Sequence, residues 1–499
     1  MLLDTGAGAD SLDAGTFAIV TPRPLLRDRW ILAAFVAGLG FRLAHLGAAP
    51  LWLDEVITAR WMREPWVQLP RVVLDDNHPP LYFLLLKAWT LLAGDSPWAL
   101  RLPSALVSAV AIVLIAAAAD ALAGRPAARW AAGLAALSPY LVQHAQEARM
   151  YALVGALAAG NLALLARWMR EPGGRLGAGF VLTALALAAS HYYGVFFLGA
   201  EVLVLLVLWR RPLRAWVPAA AATAGIAAMG LLAALLVASH KAGGSYALGL
   251  LAVPGALWGL VGGYAVLPDS ATLHAEGARA ALGLLPFAAV GAVPAAACTL
   301  AALPGLDRPA RLALFVPGLV VLAVPFAVHL VLGVAVNPRY FMAAAPALLV
   351  LLAAGAARWR AAGAALALVL AVGLGLHLAE PGHGREDTRS AGAWLDAHVP
   401  RDEEILVTSS EMALLAEYQW PGRRLRLYPP AGVVATPENA AALAAALPMP
   451  GPGRAIYVVG RAWLSDPTGA LVRALRARYR ACPGVQVRGI EVLCFEAGG

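Results

Sequence analysis

The chain has 499 residues, of which 61% are apolar and only 14% charged, and its mean hydropathy is +0.70. Soluble domains run nearer 45–50% apolar and about 25% charged, so the composition excludes an ordinary soluble protein and, equally, a disordered one. Three cysteines are too few for a disulfide scaffold or a four-cysteine zinc site. The formal charge of +8 needs a basic face to signify nucleic acid, and in so apolar a chain it reads first as an orientation signal across a bilayer.

A hydrocarbon core about 30 Å thick takes roughly 20 apolar residues per helix. Residues 1–29 form a polar tail without a cleavable-signal pattern. Apolar runs then fall at 30–47, 102–123, 128–145, 150–166, 176–190, 194–209, 215–238, 280–303, 311–335, 340–357 and 361–378. These predict a polytopic α-helical membrane protein with about 11 spans, or up to about 13 if two ambiguous stretches also cross. Residues 81–93 are short and carry Lys87, which suits an interfacial helix. Residues 247–267 contain Pro254 and several glycines and read as an interfacial segment.

With eleven spans and the N-terminus inside, Arg23, Arg27, Arg29, Arg125, Arg129, Arg167, Arg170, Arg175, Arg210, Arg211, Arg214, Arg308, Arg311, Arg358 and Arg360 all fall in inner loops. Counting 81–93 as a span would invert that bias. The reading therefore divides the chain into a tail at 1–29, a membrane region at 30–378 with a large first outer loop at 48–101, and an outer α/β domain at 379–499. In this last region, helix-like runs at 390–398, 410–420, 437–446 and 468–480 alternate with EEILVTS, RLRLYP, RAIYVVG and VQVRGIEVLCFE. Cys482 and Cys494 flank a hairpin across which they either pair or stay as thiols; Cys298 reads as membrane packing.

The unusual polar residues of the membrane region fall on the outer side, where charge at a bundle mouth is a functional-site signal. Asp54 and Glu55 lie between Leu51-Trp52-Leu53 and Val56-Ile57, so at least one carboxylate is expected to be desolvated. His78 precedes Pro79-Pro80, a rigid turn that aims it either as an anion or metal ligand or as a helix-start residue. Asp75 and Asp76 suit capping, with Asp76 also a substrate-binding candidate. Lys87 either snorkels to lipid or reaches a phosphate. Arg339, followed by Tyr340, has a planar fork suited to phosphate, specific or lipid-borne. Glu147 and Arg149 are either site residues or partners of each other, and His191 with Tyr192 and Tyr193 either lines a site or belongs to an aromatic belt. The Asp54–Glu55 pair could instead hold a divalent cation, although no accompanying ligand set is evident.

These segments, in this order, resemble the GT-C superfamily of membrane glycosyltransferases. The likeness is to the family 39-like group, which includes protein O-mannosyltransferases and aminoarabinose transferases acting on lipid A. It is carried by Asp54-Glu55, by DDNHPPLYFLLLKAW running into RLPSAL at 101–106, by SPYLVQHAQEARMYAL at 138–153 and by NPRYFMAAAPAL, over roughly residues 30–360. The resemblance implies a polyprenyl-phosphate-sugar donor, a catalytic base at Asp54 and juxtamembrane helices around the His-Pro-Pro turn. The aminoarabinose transferases have a lysine where this chain has His78, and an aspartate in the second outer loop where it has Glu147.

The function expected is inverting transfer of a sugar to a hydroxyl of a lipid, glycan or protein on the outer face of a bacterial inner membrane. Asp54 and Glu55 are the catalytic candidates. His78, Lys87, Arg149, Arg339 and Tyr340 are candidates for the donor phosphate, and Asp76, Glu147, His191 and Tyr192 for substrate. The expected partners are the lipid-linked donor, an envelope acceptor and membrane lipids, not nucleic acid. A transporter or flippase is the rival reading, but the polar residues cluster at span ends rather than at the midplane, and no inverted repeat is evident. A scaffold presenting the outer domain would leave the Asp-Glu and His-Pro-Pro motifs without a purpose.

Overall fold

The computed structural model describes residues 24–171, 174–208, 221–226, 228–230, 258–265, 285–332, 337–380, 385–451, 453–460 and 466–497. The runs expected at 215–238 and 247–267, and most of the tail at 1–29, lie largely outside them. Helices α1 (Arg29–Leu43), α2 (Leu53–Trp61), α3 (Leu69–Asp75), α4 (Leu81–Ala93) and α5 (Pro97–Ala123) come first. After them come α6 (Arg125–Leu137), α7 (Pro139–Ala145), α8 (Tyr151–Arg170), α9 (Gly174–Ala188) and α10 (Gly194–Val207). Helices Leu285–Ala302, Arg308–Leu332, Ala345–Arg358 and Arg360–Ala379 follow in the bundle.

Among the described residues, five stretches are helical, long and apolar enough to cross a membrane: Pro97–Ala123, Tyr151–Arg170, Ala288–Gly305, Pro338–Arg358 and Arg360–Ala379. The run expected as one helix at 128–145 is broken. Pro139 offers no N–H, and the Ser138 hydroxyl accepts from Leu141 N at 3.3 Å, so α7 starts afresh. The bundle is cross-tied by Arg42, wholly buried in α1, which donates to Ser108 Oγ, Gly38 O and Ala135 O at 2.8, 2.9 and 3.1 Å.

Helix α4 has 13 residues, about 20 Å at 1.5 Å per residue, too short to cross. It buries Tyr82, Phe83 and Leu86 and exposes Leu85, Leu91 and Leu92, as a helix lying in an interface does. The turn before it closes because Asn77 takes φ +67°, a left-handed conformation that asparagine tolerates. Leu81 N then donates to Ala189 O at 3.1 Å, docking the start of α4 on the α9–α10 loop.

Beyond the bundle lies a five-stranded sheet of order β2-β1-β3-β5-β4, with β1 Glu404–Val407, β2 Arg424–Leu427, β3 Ala455–Gly460, β4 Arg480–Val487 and β5 Ile490–Glu496. β1 runs parallel to β2 and β3, whereas β5 is antiparallel to β3 and β4. Helix Thr388–His398 leads into β1, and Ser410–Gln419, Ala440–Ala446 and Ala470–Arg478 connect the strands from β1 to β4, where the sequence pattern places them. Cys482 faces Cys494 across β4–β5, and the two are joined as a disulfide. This α/β unit sits on α2: Gln419 Nε2 donates to Leu51 O at 2.7 Å, and Arg60 pairs with Glu417 at 3.2 Å.

Candidate active site

Adjacent residues of α2 enter different environments, because successive helical side chains diverge by about 100°. Asp54 stays partly open, with its side chain 19% exposed, and Arg339 Nη1 donates to its Oδ2 at 2.7 Å. Its Oδ1 has no partner among the described residues. Arg339 enters on the 3-10 turn Pro338–Ala344, which Asn337 caps by accepting from Arg339 N at 3.2 Å. Its guanidinium lies 5.4, 5.7 and 5.8 Å from the ring centres of Trp52, Tyr151 and Tyr340, within cation–π range.

Glu55, expected beside Asp54 in the chemistry, is sealed away at 0% exposure. Arg101 grips it with Nε to Oε1 at 2.8 Å and Nη2 to Oε2 at 2.6 Å, and Ala148 N donates to Oε1 at 2.9 Å. Glu55 Oε2 also accepts from Trp52 N at 3.4 Å, closing the first turn of α2. Both oxygens are engaged, so this carboxylate has no free face for a substrate or for a cation shared with Asp54. Among the described residues no group of three or more His, Cys, Asp or Glu is gathered as a metal set.

Arg149 does not pair with Glu147. It donates through Nη2 to His78 Nε2 at 2.6 Å and through Nη1 to Thr58 Oγ1 and Asp54 O at 3.3 and 3.4 Å. Since Nε2 accepts, the His78 proton sits on Nδ1, 3.4 Å from Asp76 Oδ2. Burial pushes the His78 pKa down, and the Arg149 charge lowers it further. Among the described residues no carboxylate stands within ion-pair distance of Arg149. Buried donors lack protein partners at Arg149 Nε, Arg339 Nε and Trp52 Nε1. The result is an electropositive mouth with spare donors.

His191 lies behind this mouth. Burial lowers its pKa to about 3, with His78, Arg149 and Arg339 acting in the same direction, and its Nδ1 accepts from Tyr193 N at 3.0 Å. Its ring stands 5.8 Å from Tyr151 and from Tyr340, and Tyr340 is 4.9 Å from Tyr193. Tyr192 is half-buried and joins none of these ring contacts.

Two expected site residues face elsewhere. Lys87 donates to Met62 O and Glu64 O at 2.8 and 2.6 Å, satisfying carbonyls just past the C-terminus of α2. Its ammonium is spent on backbone, neither snorkelling nor reaching the mouth. Glu147 is buried, which alone would raise its pKa, but His144 at 3.0 Å and Arg385 at 3.6 Å hold it down at about 2.

The sequence profile of a family described as dolichyl-phosphate-mannose-protein mannosyltransferase matches residues 77–240, which include the His-Pro-Pro turn, α4, Arg149 and His191. ArnT from Cupriavidus metallidurans in the apo state is similar over 93% of this chain and 97% of its own, with 13% identity and a TM-score of 0.56. The same protein bound to undecaprenyl phosphate gives 14% identity, 93% and 98% coverage, and a TM-score of 0.52. The Archaeoglobus fulgidus oligosaccharyltransferase in complex with zinc and sulfate gives 15% identity, 94% and 73% coverage, and a TM-score of 0.51. No curated protein matches the chain.

The chain has the GT-C fold. Within this GT-C fold, Asp54, His78, Arg149, His191, Arg339 and Tyr340 converge, although they are drawn from five separate segments. Sequence reasoning missed Arg385, which lies 3.9 Å from Glu55 and 3.6 Å from Glu147. It also missed Trp52 and Tyr151, which flank Arg339. Trp52 and Tyr151 sit inside the motifs LWLDE and QEARMY, so their position was a usable signal. Arg385 sits in the polar stretch GHGREDTRS, where a charge reads as solvated.

Proposed function

We propose that the protein transfers a sugar from a polyprenyl-phosphate carrier to an acceptor hydroxyl at the outer face of a cytoplasmic membrane. The observation that carries this reading is a partly open carboxylate, Asp54, set beside a cluster of arginines with unspent donors. In the proposed step the acceptor hydroxyl gives its proton to Asp54 as its oxygen bonds the anomeric carbon. The bond from that carbon to the carrier phosphate breaks, and the phosphate leaves with the electron pair. Attack opposite the leaving group inverts the anomeric centre and needs one carboxylate only.

Arg149 is the cation for the departing phosphate, since it offers a planar fork unpaired with carboxylate and charge fixed in place costs no reorganisation. His78 acts through Arg149 by aiming its guanidinium. Arg339 aligns the base and, with Tyr340, borders the phosphate; His191, Tyr192 and Asp76 border the sugar and acceptor. Glu55 and Glu147 hold α2 and the second outer loop in place. A cavity of about 430 Å³ between helices Leu285–Ala302 and Ala345–Arg358 is lined by Tyr140, Leu348, Leu352 and Ala292. Tyr140 also donates to Pro338 O at 2.9 Å, next to Arg339, so this cavity suits the first isoprene units of a carrier whose phosphate lies at the mouth. ArnT, similar over nearly its whole length, has been solved with undecaprenyl phosphate, which supports the carrier class.

The test is mass spectrometry of envelope lipids, glycans and proteins from a strain lacking the gene. The expected result is loss of one sugar from one acceptor class, restored by the wild-type gene. An unchanged envelope beside accumulation of a lipid-linked sugar on the inner leaflet would favour a flippase instead.

A further inference from the structure

Asp54 stands on a short helix whose other acidic residue, Glu55, is gripped by Arg101 of the bundle and is also approached by an arginine from outside it. Arg385 belongs to the segment entering the α/β unit, yet its side chain is nine-tenths buried among bundle residues. Nη1 lies 3.9 Å from Glu55 Oε2, Nη2 lies 3.6 Å from Glu147 Oε1, and Nη2 donates to Gln146 O at 3.3 Å. With Arg101 it makes a buried set of two arginines and two carboxylates, and His144 closes the far side of Glu147 at 3.0 Å.

The backbone of Arg385 is fixed from the sheet. Arg488, in the turn between β4 and β5, donates through Nε to Arg385 O at 3.0 Å, and Asp387 N donates to Arg488 O at 2.9 Å. Gly489 in that turn packs so closely that a Cβ there would meet Glu386 at 3.2 Å. The same hairpin carries the Cys482–Cys494 disulfide. A continuous chain of contacts thus runs from the hairpin through Arg488 and Arg385 to Glu55, one residue from Asp54, and to Gln146–Glu147, next to the Arg149 loop.

We propose that Arg385 is a positioning residue, through which the β4–β5 hairpin sets the orientation of α2 and hence of the Asp54 carboxylate. The inference rests on the reading of Asp54 as the base. The α/β unit is then a working part of the site rather than an appendage: undocking it releases α2 while leaving the phosphate-binding arginines in the bundle.

The experiment uses the full chain in detergent, with amide exchange over α2 measured by mass spectrometry, undecaprenyl phosphate as binding probe, and recovery of the missing envelope sugar in the deletion strain. Arg385→Gln is expected to speed exchange at residues 53–61 at least tenfold with α8 unchanged. It should keep carrier affinity within threefold and cut sugar transfer at least tenfold, and Arg385→Lys should recover most of the transfer. Arg488→Ala, which leaves every buried charge in place, should give the same pattern at smaller amplitude and covers the case in which Arg385→Gln does not fold.

The double variant Arg385→Gln/Glu147→Gln separates positioning from charge compensation. Thermal stability restored with transfer still low supports positioning; transfer restored along with stability overturns it. Unchanged α2 exchange in both Arg385→Gln and Arg488→Ala overturns it too. Full transfer by Asp54→Asn would instead sink the assignment of the base while leaving the measured coupling of hairpin to helix intact.

Discussion

Two clusters built from the same residue types meet on α2 and behave in opposite ways. Around Glu55, the carboxylates of Glu55 and Glu147 face the guanidiniums of Arg101 and Arg385, and Glu55 has both oxygens occupied. Around Asp54, Arg149 has no carboxylate partner among the described residues, and donors on Arg149, Arg339 and Trp52 are buried without protein acceptors. A buried charge is tolerable when paired and costly when not. The balanced cluster therefore holds the fold, and in the proposed function the unbalanced one receives a ligand that brings negative charge. Proximity in sequence carries none of this distinction, because Asp54 and Glu55 are neighbours and belong to different clusters.

Breaking the balanced cluster should produce the largest loss of stability. Glu55→Gln leaves Arg101 and Arg385 short of charge, with an expected cost of about 3–5 kcal/mol, read as a fall in melting temperature and in yield of folded protein. The unbalanced cluster should answer differently. Arg149→Met should weaken undecaprenyl phosphate binding by about 10- to 100-fold, the worth of a charge-assisted contact, with melting little changed.

Acid should separate the clusters further. The folded-state pKa of His191 is depressed to about 3, so between its ordinary value near 6.5 and that value the unfolded chain binds a proton that the folded one refuses. Stability then falls as pH falls through this window, by at most about 1.4 kcal/mol per pH unit, and His191→Gln should flatten the melting curve between pH 6.5 and 4.5. Glu147, held at about 2, adds its own loss only below about 4.5, so it does not mask the His191 effect. The smallest effect is expected at Lys87. Lys87→Met removes two bonds to carbonyls and should cost about 1 kcal/mol of stability without moving carrier affinity; a tenfold loss of binding would return Lys87 to the phosphate site.

The apolar runs of the bundle were legible because burial in lipid and in protein both demand long apolar stretches; at α6–α7, local proline chemistry cut a run that hydropathy alone joins. The alternation of the α/β unit was equally legible, since each strand carries its own apolar pattern. At the site, Asp54, His78, Arg149 and Arg339 stood out in the sequence because charge is rare in such a chain, and the fold brings them together. Their pairing was hidden: which of Glu147 and Arg149 turns toward which neighbour depends on the short turn between α7 and α8, whose side chains diverge. Lys87 misled because α4 presents it back to the end of α2. Arg385 was invisible because its partners lie more than 200 residues away in sequence, and only the folded chain brings them together.

The most direct test of the account is Asp54→Asn in the deletion strain, scored by the missing envelope sugar and, on the purified variant, by undecaprenyl phosphate binding. Removing a general base should cost about 10²–10⁴-fold in rate. With Asp54 as the base, the sugar stays absent while carrier binding persists within a few-fold. Full restoration of the sugar by Asp54→Asn would contradict it.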